Sequence, residues 1–71
     1  MQYLVVIEKG DSSYGAYVPD LPGCVAAAES EAEVRQLIRE AIEFHIEGLR
    51  EHGEPVPVPN SSSAIVEVGA S

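Results

Sequence analysis

The fold is decided by the stretch YGAYVPDLPGCVAAAES, which occupies residues 14–30 and leads from a predicted hairpin into a predicted helix. Two prolines bracket an Asp-Leu pair at its centre, and a glycine follows the second proline. Each proline locks its own φ angle and holds the residue before it in extended geometry, while glycine permits the positive φ of a tight turn. We therefore predict a fixed corner in which Pro19, Pro22 and Gly23 are structural residues.

Apolar residues on both sides of this corner predict three strands. The alternation indicates strands at about 2–9, 13–19 and 24–28, and the turn cluster KGDSS separates the first two as in an antiparallel hairpin. The first strand is apolar on nearly both faces, and one helix can cover only one of them. We therefore expect a homo-oligomer, a dimer or a larger assembly, that buries the other face or pairs the edge strands.

A single helix of about six turns is predicted for residues 31–52. Ser30 and Glu33 have the Ser-x-x-Glu spacing of a capping box, and Gly53 followed by Pro55 marks the helix end. Apolar side chains that repeat with the helical period are expected to cover the sheet. These side chains are Val34, Leu37, Ile38, Ala41, Ile42, His45 and Leu49.

The opposite side of the helix carries an acidic stripe formed by Glu40, Glu43, Glu47 and Glu51. This stripe is either a solvated charged face or a docking surface for a basic protein. Phe44 falls beside the stripe and outside the apolar arc. It is therefore either an interface anchor or a side chain that folds over the edge of the sheet.

After the helix, the segment PVPVP at residues 55–59 is predicted to be an extended return path. The apolar residues at about 64–68 then predict a last strand that rejoins the sheet. The expected fold class is α+β, with the order β-β-β-α-β: an antiparallel three-stranded meander, one long helix and a C-terminal strand. We expect residues 1–71 to form one domain.

The composition of the chain limits the classes of partner that it is expected to bind. The 71 residues carry twelve acidic and four basic side chains, for a formal charge of −8. This charge repels phosphate backbones, so we expect no direct nucleic-acid binding and favour a basic protein partner, although acidity alone also keeps a small protein soluble. The single cysteine excludes an intrachain disulfide, and no apolar run is long enough for a membrane span. We predict a cytoplasmic protein.

No motif in the sequence predicts an enzyme or a cofactor site. The glycines lack the spacing of a nucleotide-binding loop, and the two histidines are too far apart for a shared metal ion. Glu8, Asp11 and Asp20 form the one alternative, a divalent-metal site of a degenerate nuclease. Asp20 is more simply a turn residue that accepts backbone N–H bonds.

The chain resembles the HicB-like antitoxin family over roughly residues 3–68. The resemblance rests first on the corner motif with its flanks, YGAYVPDLPGC at 14–24, and on the helix start, SEAE at 30–33. It rests also on EAIE at 40–43 in the middle of the helix, on Leu49, and on GEPVP at 53–57 after the helix. It implies a domain like a truncated ribonuclease H fold without catalytic function, which neutralises a small basic RNA-cleaving HicA-type toxin by covering it. Many members carry a C-terminal DNA-binding domain, and we expect this chain to be of the stand-alone type.

These observations together predict a partner-binding surface made of the helix face and the corner. Its expected residues are Asp20, Leu21, Glu40, Glu43, Phe44 and Glu47. An orphan oligomeric scaffold without a toxin is the alternative, because the resemblance also covers stand-alone members. We predict no metal, no cofactor and no enzymatic activity.

Overall fold

Three antiparallel strands and one helix make up the part of the chain that the computed structural model describes, residues 1–69. The strands β1, β2 and β3 span Val6–Lys9, Tyr14–Tyr17 and Val25–Ala28, and the helix α1 spans Glu31–Glu51. The strands lie in the sheet in chain order, β1-β2-β3. The predicted antiparallel meander followed by one long helix is confirmed.

The first strand is shorter than the predicted residues 2–9 because its partner strand, β2, ends at Tyr17. Val6 pairs with Tyr17 at the last position of the β1–β2 register. Beyond that point, the Val18 N–H donates to the Cys24 carbonyl at 3.2 Å, and Pro19 has no N–H to donate. The residues before Val6 therefore have no ladder partner on β2.

The corner between β2 and β3 consists of two consecutive turns. The Leu21 N–H donates to the Val18 carbonyl at 3.1 Å, and the Cys24 N–H donates to the Leu21 carbonyl at 3.0 Å. Gly23 adopts a φ of +84°, as predicted for this position. These turns direct the side chain of Leu21 inwards, where it has no exposed surface.

The hydrophobic core lies between the helix and one face of the sheet. The helix packs on β2 and β3, and the small residues Ala26 and Ala28 face it from β3. These small side chains allow the helix to lie close to the sheet. The buried residues of the helix, Val34 and Ile38, both lie in its first half, so the core is concentrated there. Its buried members are Ala16, Val18, Leu21, Cys24, Val34 and Ile38.

Both helix ends are closed by the residues that the sequence predicts. The Ser30 hydroxyl accepts the Glu33 N–H at 3.2 Å, and it also lies 3.2 Å from a carboxylate oxygen of Glu33. The Glu33 side chain thus bonds the hydroxyl, whereas a full capping box would use the Ser30 backbone N–H. At the other end, Gly53 has a φ of +69° and the Glu54 N–H donates to the Leu49 carbonyl at 2.9 Å, as in a Schellman motif.

The segment after the helix is anchored to the sheet at two points. The Tyr3 hydroxyl donates to the Pro57 carbonyl, and the Asp20 carboxylate accepts the backbone N–H groups of Asn60 and Ser61. These anchors hold the chain across the end of the sheet, between β1 and the β2–β3 corner. Residues 62–69 then extend away from the body.

The strand predicted at 64–68 is not formed in this structure. These residues have no sheet hydrogen bonds and are exposed, and Ile65 is completely exposed. The physical reason is the path just described, which leads the chain past the end of the sheet and not along an open edge. The Cα radius of gyration is accordingly 14.3 Å, against about 11 Å for a compact chain of this length.

Candidate protein-binding surface

The exposed side of α1 carries a group of carboxylates. Glu40, Glu43 and Glu47 are separated by three or four residues, so they lie along one face of the helix, and all three are exposed. Glu40 accepts a hydrogen bond from Gln36 at 2.8 Å, and Glu43 lies 3.4 Å from Arg39. Both partners of the second pair are largely exposed, and such pairs contribute little free energy. These exposed contacts are weak enough for a basic partner to compete for the carboxylates.

Phe44 lies among these carboxylates and is 78% exposed. It does not fold over the sheet edge, which was one of the two alternatives for this residue. A helix holds it in a fixed position, so burial on a partner would cost little conformational entropy. We call the four residues Glu40, Glu43, Phe44 and Glu47 the acidic helix face.

The two corner residues predicted for the same surface have other roles in the structure. Leu21 is fully buried in the core and offers no side-chain surface to a partner. Asp20 accepts hydrogen bonds from the N–H groups of Asn60 and Ser61 and from the Ser61 hydroxyl at 2.9–3.0 Å. The bonds from Asn60, and then those from Ser61, hold the pKa of Asp20 below its ordinary value. Asp20 is an anchor for the segment after the helix.

The carboxylates of the nuclease alternative do not meet. Glu8 pairs with Gly15 near the end of β1, and Asp11 follows in the β1–β2 turn. Asp20 lies in the corner at the opposite end of β2 and is bonded to the chain after the helix. Within residues 1–69, no three His, Cys, Asp or Glu side chains are placed to hold a metal ion. The structure thus does not bring together the three carboxylates of this alternative.

An open groove beside β1 was not predicted from the sequence. It has a volume of about 400 Å³ and separates the start of the chain from α1. Its apolar walls are Tyr3, Val5, Ile7, Ile38 and Ile42, and its polar rim consists of Arg35, Arg39 and Glu43; Met1 completes the lining. We call it the edge groove. The sequence did contain a signal for this groove: the first strand is apolar on nearly both faces, and one helix can cover only one of them.

The face of the sheet away from the helix is also apolar. Val6, Tyr17 and Val25 are register partners and form one row across the three strands. Tyr17 is 41% exposed and Val25 is 65% exposed. Because Val6 belongs to this row, the first strand is apolar on the face away from the helix as well as on the face towards it.

A protein-family model matches residues 3–69 of the chain, and its description is HicB-like antitoxin of a bacterial toxin–antitoxin system. The chain belongs to this family. The match includes the corner, the capped helix and the segment after it. The resemblance predicted from those motifs is therefore confirmed.

Relatives of this HicB-like chain occur in a phage and in an archaeon. An uncharacterised 14.9 kDa protein from the rep–hol intergenic region of Haemophilus phage HP1 is 43% identical over 60 residues, which are 84% of this chain and 45% of the phage protein. A UPF0150 protein of Thermoplasma acidophilum is 39% identical over 67 residues, covering 93% of this chain and 97% of the relative. The HicB-like chain thus spans less than half of the phage protein but nearly all of the archaeal one.

Two solved structures have the same fold as this HicB-like chain. The N-terminal domain of the Burkholderia pseudomallei antitoxin HicB superposes with a TM-score of 0.74 at 39% identity, over 82% of this chain and 69% of that one. A chain of a HicA3–HicB3 toxin–antitoxin complex gives 0.71 at 33% identity, over 84% and 70%. The arrangement of three strands and a helix is therefore shared with HicB N-terminal domains.

Cys24 is a free, buried cysteine of this HicB-like chain. Burial raises the pKa of the Cys24 thiol, which keeps it protonated and unreactive. No helix among residues 1–69 has the length and hydropathy to cross a membrane.

Proposed function

We propose that this protein is an antitoxin-type binding module that neutralises a small basic RNA-cleaving toxin of the HicA type by covering it. The observation that carries the proposal is Phe44, which is 78% exposed and is held by α1 among the carboxylates of the acidic helix face. Membership of an antitoxin family and the likeness to a chain of a toxin–antitoxin complex support it.

The charge of the chain supports the same partner. A formal net charge of −8 produces a negative potential that attracts a basic protein and accelerates encounter at low ionic strength. Phe44 supplies the apolar contact, since burying an exposed aromatic side chain contributes about 1.5–3 kcal/mol. The carboxylates would then determine the orientation and the salt dependence of binding. Phe44 would contribute a large share of the affinity.

The proposed mechanism requires no catalysis by this chain. A bound antitoxin neutralises a nuclease by excluding RNA from its active surface, so the chain needs a complementary face and no reactive group. The corresponding compartment is the cytoplasm, where a toxin of this kind meets RNA. Direct nucleic-acid contact by residues 1–69 is disfavoured by the negative charge.

Self-association is the second part of the proposal. The row Val6, Tyr17 and Val25 and the exposed segment at 64–68 are apolar surfaces of a kind that oligomers bury. We propose that the chain works as a homo-oligomer, and that residues 64–68 form their strand only within it. The sheet would then gain a fourth strand and approach a truncated ribonuclease H fold. An orphan oligomeric scaffold would share this surface without binding a toxin.

The decisive experiment pairs this chain with a small basic protein of the HicA type. Co-expression is expected to relieve the growth arrest that the basic protein causes, and the purified pair is expected to form a complex that weakens as salt rises. Absence of a complex at low salt, together with unrelieved growth arrest, would contradict the antitoxin function. The scaffold alternative would then remain.

A further inference from the structure

We infer that the basic toxin docks on the β3 side of the fold, where an extended segment of it adds as a strand to the open edge of β3 and contacts Leu37 and Phe44 of α1. This docking site rests on the proposed function, because its occupant is the same partner. It deepens that function by naming the surface that receives the toxin and the chemistry of the segment that binds there.

The helix lies over the β3 side of the sheet. It packs on β3 and β2, whereas the edge groove separates it from the start of the chain and β1. Arg35, Arg39 and Ile42 line that groove, so their flank of α1 faces β1. Successive residues turn by about 100° around a helix, which places the opposite flank on the β3 side. We call it the β3 flank, and its residues are Glu33, Leu37, Glu40, Ala41, Phe44, Gly48 and Glu51.

The β3 flank carries apolar surface that the fold does not use. Among the described residues, the large apolar side chains of α1 that are exposed are Leu37 and Phe44, at 42% and 78%, and both lie on this flank. They are separated by two helical turns, and Ala41 lies between them on the same side. Exposed apolar side chains that adjoin in this way indicate a surface for a protein partner.

Positive charge is confined to the other flank of the helix. Its three basic residues, Arg35, Arg39 and Arg50, all lie on the side of the edge groove by helical spacing. Arg35 pairs with Glu31 at 3.0 Å, and Arg39 pairs with Glu43 at 3.4 Å, so these arginines compensate carboxylates of their own flank.

The carboxylates of the β3 flank have neutral partners. Glu33 bonds the Ser30 hydroxyl, and Glu40 accepts from the Gln36 amide. Together with Glu51 they are exposed, and no lysine or arginine belongs to this flank. Their negative charge is therefore uncompensated, and it is complementary to a basic partner beside the apolar side chains of Leu37 and Phe44.

The edge of β3 lacks the features that protect most sheet edges. β3 is an outer strand, and its sequence VAAA contains no charge and no proline, whereas β1 at the other edge carries Glu8 and Lys9. Exposed edges are usually blunted by charged side chains, prolines or bulges, because unpaired backbone groups attract further strands. An uncharged edge of this kind is a template for strand addition by a partner.

The register of the sheet identifies the backbone groups at this edge. The Val18 N–H donates to the Cys24 carbonyl, and bonded pairs alternate along an antiparallel ladder. Ala26 and Ala28 therefore bond β2, while the N–H and C=O groups of Val25 and Ala27 point away from it.

This geometry defines the segment that fits. Ala26 and Ala28 face the helix, and the side chains of an added strand alternate in the same way, so every second one points to the α1 side. There it meets Leu37 and the carboxylates Glu33 and Glu40 of the β3 flank. The occupant is therefore an extended segment of the toxin with apolar and basic side chains on one face.

The first test is amide hydrogen exchange of the full chain with and without a purified basic toxin of the HicA type. Toxin binding is expected to slow exchange of the Val25 and Ala27 amides by about tenfold or more, since both would donate to the added strand. Ile7 and Lys9 are the matched control, because the same alternation points their amides away from β2 at the opposite edge. Slowed exchange at Ile7 and Lys9 in their place, or at neither pair, would overturn the docking site.

The second test removes one apolar side chain from each flank of α1. Leu37→Ala is expected to weaken toxin binding by about tenfold, as for an apolar side chain near the centre of an interface. Ile46→Ala is the matched control, because Ile46 follows Ile42 by four residues and so lies on the flank of the edge groove. Calorimetric titration measures both affinities, and thermal midpoints verify that both free variants are folded. Equal affinities would exclude the β3 flank.

The outcomes separate the docking site from the proposed function. A complex that forms while Val25 and Ala27 exchange as in the free chain overturns the site and leaves the antitoxin function standing. Absence of any complex at low salt overturns both. Slowed exchange at Val25 and Ala27 that depends on the concentration of the chain alone, without toxin, means that a second copy occupies the β3 edge, and it also overturns the site.

Discussion

Asp20 and Ser61 are joined by two hydrogen bonds across 41 positions of sequence: the carboxylate accepts the Ser61 backbone N–H and the Ser61 hydroxyl, both at 2.9 Å. This contact ties the corner between β2 and β3 to the segment that follows the helix. It also sets the direction in which residues 62–69 leave the body. A residue of the most distinctive motif thus has a structural role that extends to the end of the described chain.

The first prediction concerns pH. Hydrogen bonds from Asn60 and Ser61 lower the pKa of Asp20 from its ordinary 3.8, so the folded state favours the ionised carboxylate. Their stabilising contribution is fully present above that ordinary pKa and is lost as the pH falls through the lower pKa of the folded state. The Asn60 and Ser61 amide resonances are therefore expected to be constant from pH 7 to about 5 and to move below pH 3.8.

The control for this titration is a second carboxylate. Asp20→Asn is expected to abolish the acid transition of both amides and to raise their hydrogen-exchange rates at pH 7. Asp11→Asn, in the exposed β1–β2 turn, is expected to leave them unchanged. Equal behaviour of the two variants would mean that the anchor is not formed in solution.

The second prediction compares one substitution at two glycines. Gly23 has a φ of +84°, so alanine there is expected to destabilise the fold by about 1–2 kcal/mol. Gly48 lies inside α1, where alanine is expected to stabilise the fold by about 1 kcal/mol. A Cβ at either position meets no described atom within 4 Å, so steric crowding does not confuse the comparison. Urea unfolding gives both values, and shifts of the same sign would contradict the assigned backbone roles.

Features that depend on near neighbours in the chain were predictable from the sequence. The turn at Gly23, the cap at Ser30 and the terminator at Gly53 each require a particular residue type at a particular backbone position, and each is observed. The helix bounds follow from the two caps. Such effects act over a few residues, so no knowledge of the tertiary structure was needed.

Features that depend on distant residues were not predictable in the same way. Leu21 lies between two prolines in a turn, a context typical of exposed residues, and only the path of the corner places it in the core. The segment at 64–68 has strand propensity, but a strand also needs an edge to pair with, and the bonds at Asp20 direct it elsewhere. Sequence periodicity reports propensity and amphipathicity, whereas pairing depends on where the chain is anchored.

The third prediction concerns the aromatic anchor. Phe44→Ala is expected to weaken binding of the basic partner at least tenfold, since a buried interface aromatic contributes well over 1.4 kcal/mol. Phe44 is 78% exposed, so the thermal midpoint of the free protein is expected to change little. Val58→Ala is the matched control, with the same exposure at a site off the helix. Calorimetric titration that finds equal affinities for the two variants would exclude Phe44 from the interface.

The fourth prediction separates local charge from net charge. The triple variant Glu40→Gln/Glu43→Gln/Glu47→Gln removes three negative charges from the acidic helix face. Glu8→Gln/Glu29→Gln/Glu54→Gln removes three exposed charges elsewhere, so both proteins have the same net charge.

Both triple variants are expected to slow association with the basic partner at low salt, because long-range attraction depends on total charge. Only the helix-face variant is expected to accelerate dissociation and to lose part of the salt dependence of the affinity, because screening acts on the charges that lie close together in the complex. Stopped-flow rates between low and physiological ionic strength measure both effects. If the two variants dissociate at the same rate, the carboxylates act only through the overall field, and the toxin is bound by another surface of the chain.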